Sequence, residues 1–185
     1  LAPVLQAARR TGAAITLLDV GTGAGDIPER ARLLASRTGV RLITTGLEIT
    51  TALAAAGRAR SGGAVVGDAR ALPFADRSVD VVTCSQLLHH FEDAGSRALL
   101  AELHRVARER VIVADLRRSW AAAAGLWLAS WVLGFHPVSR HDGVVSVLRG
   151  FRASELAHLV HAATGRHPTV RNRRGFRVTA SWSPA

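Results

Sequence analysis

Leu17-Leu18-Asp19-Val20-Gly21-Thr22-Gly23-Ala24-Gly25-Asp26-Ile27-Pro28-Glu29-Arg30-Ala31 decides how the chain is read. An apolar run ends in an acid, three glycines follow at alternate positions, and a helical pattern opens at Pro28, whose missing N–H matters least in a first helical turn. Glycines let such a turn approach a ligand closely and take backbone angles that a Cβ would forbid. The helix behind them offers free N–H groups and the positive end of its dipole. The segment therefore reads as a ligand loop between a buried strand and a helix. The alternative is a glycine-rich structural turn, or a dinucleotide loop with its own G-x-G-x-x-G spacing.

Outward from this loop, short apolar runs alternate with helical patterns, which predicts a parallel sheet with helices on both faces. Strands are expected at 14–20, 41–48, 64–67, 79–85 and 110–115, followed by 169–173 and 176–181. The last two lie so close around Arg174 and Gly175 that they predict an antiparallel hairpin. Helices are expected at 28–38, 51–59, 95–107 and 154–164. The stretch 119–135 is apolar on nearly every side and interrupts the rhythm after the fifth strand. The length suits one domain over 1–185 with a single site, and 118–150 forms a helical insertion or lid within it.

Asp19-Val20-Gly21-Thr22-Gly23-Ala24-Gly25 resembles motif I of the class I S-adenosylmethionine-dependent methyltransferases, matching D/E-x-G-x-G-x-G in full. The resemblance implies an α/β, Rossmann-like, doubly wound, seven-stranded, mostly parallel sheet and S-adenosylmethionine as cofactor. Asp19, Gly21, Thr22, Gly23 and Gly25 would face its methionine portion. Glu48, closing the second strand, would accept hydrogen bonds from the ribose hydroxyls, as acids do in dinucleotide folds. Asp68 and Ala69 would meet the adenine, and Ser85, ending the fourth strand, would line the same cleft. The likeness runs over 14–115 and is nearest the subgroup of quinone-biosynthesis and polyketide-tailoring methyltransferases. It departs at Ala107-Arg108-Glu109-Arg110, where many relatives carry a Lys-Pro-Gly-Gly turn, so a tighter turn is expected there.

Ligands of open α/β sheets bind beyond the carboxyl ends of the strands, so the acceptor should lie above strands four and five. Ser85, Gln86, His89, His90, Asp115 and Arg117 belong there. His90, or its neighbour His89, could take a proton from a phenol or an activated carbon acid, because an imidazole titrates near neutrality. The alternative is a histidine that only caps or packs the turn. Trp120, Trp127 and Trp131, spaced by seven and four, fall near one helical face. That face could be a lid, a dimer contact, a shallow membrane contact or ordinary core. His141, in Pro137-Val138-Ser139-Arg140-His141-Asp142-Gly143, either contacts the acceptor or sits in a turn with a helix cap.

The expected reaction is methyl transfer to a small, hydrophobic, hydroxylated aromatic, polyketide-like or quinone-like acceptor, on oxygen or carbon. Methyl transfer does not always need a base, because alignment supplies much of the rate. The net charge of +10 comes entirely from arginine, lysine being absent. This resembles high-GC coding, so charge alone selects no partner, and no specific nucleic acid is expected. The arginines of 166–174 nonetheless keep an RNA-modifying enzyme as an alternative, beside a cofactor-binding protein without chemistry. Cys84 is the only cysteine, which excludes an internal disulfide and a zinc site or redox pair built from thiols, and suits a reducing cytoplasm. No metal is expected. No apolar run reaches the roughly 18–20 residues of a membrane span. There is no signal-peptide pattern, and the absence of Met predicts a start inside a longer reading frame.

Overall fold

The computed structural model describes residues 1–185. Its centre is a seven-stranded sheet in the order β3-β2-β1-β4-β5-β7-β6. The strands are β1 (Ile15–Val20), β2 (Leu42–Glu48), β3 (Ala64–Val66), β4 (Val79–Ser85), β5 (Ala107–Leu116), β6 (Thr169–Arg173) and β7 (Arg177–Trp182). The first five run parallel, while β7 pairs antiparallel with both β5 and β6. The α/β sheet and its antiparallel C-terminal hairpin follow the expected architecture. Chain order reverses between β1 and β4, which is where such sheets open a crevice.

Helices α2 (Asp26–Arg37), α3 (Thr51–Ser61), α4 (Asp93–Val106) and α7 (Ala153–Thr164) lie within two residues of their predicted ends. The central strands carry apolar side chains on both faces. Leu18, Val20, Val82 and Val113 pack with Leu99, Leu103, Leu156 and Val160 on one side. Ile15, Leu17 and Val81 pack with Ala31 and Ala35 on the other.

Four features depart from the sequence reading. A first helix, α1 (Ala2–Thr11), was not expected; it buries Val4, Leu5 and Ala8 against the second core and ends on Gly12 in the left-handed region. Strand β5 begins at Ala107 instead of 110, because α4 passes into it directly and Val79 pairs with Ala107 ahead of a register shift. The tighter turn expected here is therefore no turn at all. The stretch after β5 forms two helices, α5 (Trp120–Val132) and α6 (Pro137–Arg149), so 137–143 is the opening of a helix, capped by His136. Finally, the three α5 tryptophans are exposed, which removes the reading as ordinary core.

Arginines 171 and 173 lie on β6, the exposed edge of the sheet. A charged edge discourages strand addition. No helix is long and apolar enough to cross a membrane.

Candidate active site

Asp19 is buried near the end of β1, and its carboxylate accepts a 2.6 Å hydrogen bond from the Thr83 hydroxyl on β4. Burial pushes its pKa up to about 6, against the opposing pull of that hydroxyl. The next turn holds Gly21, Gly23 and Gly25 at φ of 71°, 54° and 80°, so each supplies an angle that side chains resist. The N–H groups of Gly21 and Thr22 donate to the carbonyl of Leu47, tying the loop to β2. Glu48, buried at the end of β2, accepts a 2.5 Å hydrogen bond from the Gly23 N–H. The acid expected at the ribose is thus held beside the glycine loop by the loop's own backbone.

The three glycines differ in what crowds them. A Cβ on Gly25 would lie 2.9 Å from the Gly57 carbonyl oxygen and 3.0 Å from the Ser61 nitrogen, so this residue lets α3 close on the loop. A Cβ on Gly57 would in turn meet the carbonyl of Gly23. At Gly23 itself nothing lies within 4 Å, so its missing side chain faces open space.

Two cavities meet at Gly21. One, about 240 Å³, is lined by Leu47, Glu48, Gly67, Asp68, Ala69 and Leu87, among others. The second, about 300 Å³, is lined by Asp19, Thr22, Asp26, Ile27, Ser85 and Gln86, with Gly21 again in its wall. Of the nine residues expected at the cofactor, only Gly23 and Gly25 line neither cavity. The buried Thr22 hydroxyl oxygen has no hydrogen-bond partner. Gln86, a non-glycine residue at φ 55°, leaves β4 in the left-handed region at this spot. Such a pair of cavities, with open space above Gly23 and an unpartnered hydroxyl, fits an elongated polar nucleoside bent across a strand end.

Asp68 carries a partner that the sequence reading missed. The Arg70 side chain reaches its carboxylate at 2.7 Å, and the Arg70 N–H donates at 2.8 Å. These bonds hold the Asp68 carboxyl below its ordinary range. The following loop is pinned to α4, with Arg105 donating to the carbonyls of Leu72 and Phe74 and Glu102 accepting from the Leu72 N–H. The Leu72-Pro73-Phe74 stretch therefore fixes the loop that presents Asp68 and Ala69.

On the other side of Phe91, which lines both, lies a cavity of about 510 Å³ containing His89, His90, Arg118, Leu148 and Arg149. His89 is buried, and its Nδ1 lies 2.6 Å from a carboxylate oxygen of the fully buried Asp115. His90 is exposed, with its ring 4.1 Å from that of His89. Burial, then His89, lowers the His90 pKa, with Asp115 opposing and Arg149 adding to the effect. His141 lies elsewhere, in a cavity between α5 and α6 with Trp127, Pro137, Arg140 and Val144. Cys84 is buried in the core with its thiol pKa raised well above normal by burial, and it has no access to a substrate. No group of histidine, cysteine and acidic side chains is arranged to hold a metal ion.

A family profile described as "Methyltransferase domain" matches residues 18–114, from β1 through β5. The chain belongs to this methyltransferase domain family. The class I resemblance read from the glycine loop is thereby borne out. Among curated proteins, the methyltransferase domain is similar to the demethylmenaquinone methyltransferase of Thermotoga maritima, at 34% identity over 125 residues. That match takes in 63% of this chain and 52% of the relative, so the chain spans about half the length of the curated protein it matches. In fold it is similar to an S-adenosylmethionine-dependent methyltransferase from Aquifex aeolicus, with a TM-score of 0.65, 14% identity, and coverage of 98% of this chain and 89% of the other. It is likewise similar to the magnesium protoporphyrin IX methyltransferase of Synechocystis PCC 6803 with bound SAH, with a TM-score of 0.61, 14% identity, and coverage of 100% and 81%.

Proposed function

We propose that this methyltransferase domain transfers a methyl group from S-adenosylmethionine to a small, hydrophobic, hydroxylated aromatic, polyketide-like or quinone-like acceptor. The observation that carries the reading is the pair of cavities joined at Gly21, with Glu48 and Asp68 on one side and Asp19 and Ser85 on the other. When bound, the cofactor supplies a methyl group on a positively charged sulfur, already activated for displacement. Ionised Asp19 meets the ammonium of the amino-acid end, with Thr22 and Ser85 beside it. Glu48 accepts from the ribose hydroxyls, and Asp68 and the Ala69 N–H read the adenine edge.

The acceptor occupies the cavity behind Phe91. His89 is the proton acceptor, with Asp115 as its positioning residue. A carboxylate partner makes Nδ1 the donor and leaves Nε2 as the proton-accepting nitrogen. His90 lies beside it, the two rings 4.1 Å apart. His141 is outside this constellation. Residues 1–185 act as one domain, with 118–150 as a lid over the acceptor side. The wide apolar insertion and the single buried thiol suit a small hydrophobic acceptor and a cytoplasmic enzyme.

Calorimetric titration with S-adenosylhomocysteine, followed by transfer of labelled methyl to a panel of hydroxylated aromatic and quinone-like acceptors, tests the reading. Saturable one-to-one binding that Glu48→Ala abolishes is the expected result. No heat and no label transfer at millimolar cofactor would end it.

A further inference from the structure

The α5–α6 hairpin leaves several large apolar side chains uncovered. In α5 only Ala123 and Ser130 are buried, and α6 buries no residue at all. Trp120 is 73% exposed, Trp127 47%, Trp131 59% and Val132 87%, with Leu128 and Leu133 beside them. A helix that is apolar all round is normally found in a protein core or in lipid. Contiguous exposed apolar patches of this kind mark an interaction site.

We propose that this face seats the protein on an anionic lipid bilayer, lying in the interface without crossing it. With 13 residues, α5 is well short of the roughly 20 a span requires. Tryptophan is the side chain best suited to the boundary between headgroup and acyl chain, being apolar in body and polar at its N–H. The flanking charge chooses the occupant. Residues 117–149 contain four arginines, Arg117, Arg118, Arg140 and Arg149, against one acid, Asp142, and of the four Arg118 is paired with Glu155. The Arg140 guanidinium lies 3.6 Å over the Trp131 ring, which sets a positive charge directly beside the apolar face. A second copy of this chain would bring another net charge of +10 against the first, whereas an anionic leaflet attracts such a surface.

The protein carries its own probe. Of its four tryptophans, three lie on α5, while Trp182 is 2% exposed and donates its indole N–H to His104. Vesicles of phosphatidylcholine with and without phosphatidylglycerol are added to the full chain, and both sedimentation and tryptophan emission are read. The expected result is cosedimentation with anionic vesicles together with a blue shift, and little of either with neutral ones. Trp127→Ser with Trp131→Ser, both at exposed positions, lowers partition by at least about tenfold per ring removed while leaving the circular dichroism unchanged. Three results would overturn the proposal: no binding, binding that high salt abolishes and the double variant leaves intact, or a blue shift that grows with protein concentration in the absence of lipid. The second is arginine charge alone, and the third is a second copy covering the face.

Discussion

His89 and Asp115 are 26 residues apart in sequence, yet their side chains meet at 2.6 Å with almost no solvent on either. The same carboxylate also accepts from the N–H groups of Leu88 and Leu116, so it organises the turn after β4 as well as the imidazole. Asp115→Asn must present an NH₂ to one of these donors. The expected outcome is a loss of about 1–3 kcal/mol in stability, measured by urea unfolding. In the methyl-transfer assay, kcat also falls, because the imidazole loses the carboxylate that orients it. His89→Gln reproduces the kcat loss with less destabilisation. An unchanged kcat in both variants would reduce the pair to a structural tie.

Cofactor binding should depend on pH through Asp19. Its folded pKa of about 6 lies above the ordinary carboxyl value of 3.8. Between these values the native state keeps a proton that the unfolded chain has lost, so this residue's contribution to stability declines as pH rises through the window. Binding moves the other way, because only the ionised carboxylate attracts an ammonium. S-adenosylhomocysteine affinity should weaken as pH falls below about 6, with proton release on binding near that pH. Asp19→Asn should flatten the profile, and titration in buffers of different ionisation heat checks both effects.

Gly23→Ala and Gly25→Ala should separate binding from folding. At Gly25 a methyl group collides with backbone atoms of α3, so thermal unfolding should move down sharply. At Gly23 no protein atom is within reach, and the cost to stability is limited to left-handed strain of about 1–2 kcal/mol. S-adenosylhomocysteine affinity should nonetheless fall steeply in Gly23→Ala, because the added group occupies the open side of the loop.

Glu48→Gln keeps an oxygen for the Gly23 N–H but loses the charge. Hydrogen bonds to a charged group are worth about 1.5–3 kcal/mol, so affinity for the nucleoside should drop by roughly 10- to 100-fold with little change in melting temperature. Equal affinity in this variant would mean that the ribose lies elsewhere.

The β–α alternation and the Asp19–Gly25 turn were legible in the sequence because both are local: period, glycine spacing and one acid suffice. Helix α1 carried its own signals, Pro3 at its start and Gly12 after its end, but so short a helix is stabilised by its contact with the sheet, which no local pattern displays. The first residues of β5 read as polar, and pairing with β4 overrode that propensity. In the site, acids at strand ends could be found from their positions. Their more distant partners could not, since Asp115 on His89 and Gly57 against Gly23 are set by packing between elements.

Because α4 runs into β5 with no intervening loop, and Asp80 bonds both Thr16 and Arg108, the amino-terminal end of β1, β4 and β5 is a clamped floor with no slack. Every long connection leaves from the opposite rim. Local opening is thereby confined to the end where ligands enter, so amide exchange should be slow at Val81 and Val82 and fast through 119–150. A substrate can be admitted and expelled there without loosening the strands that hold Asp19 and Asp115 in line.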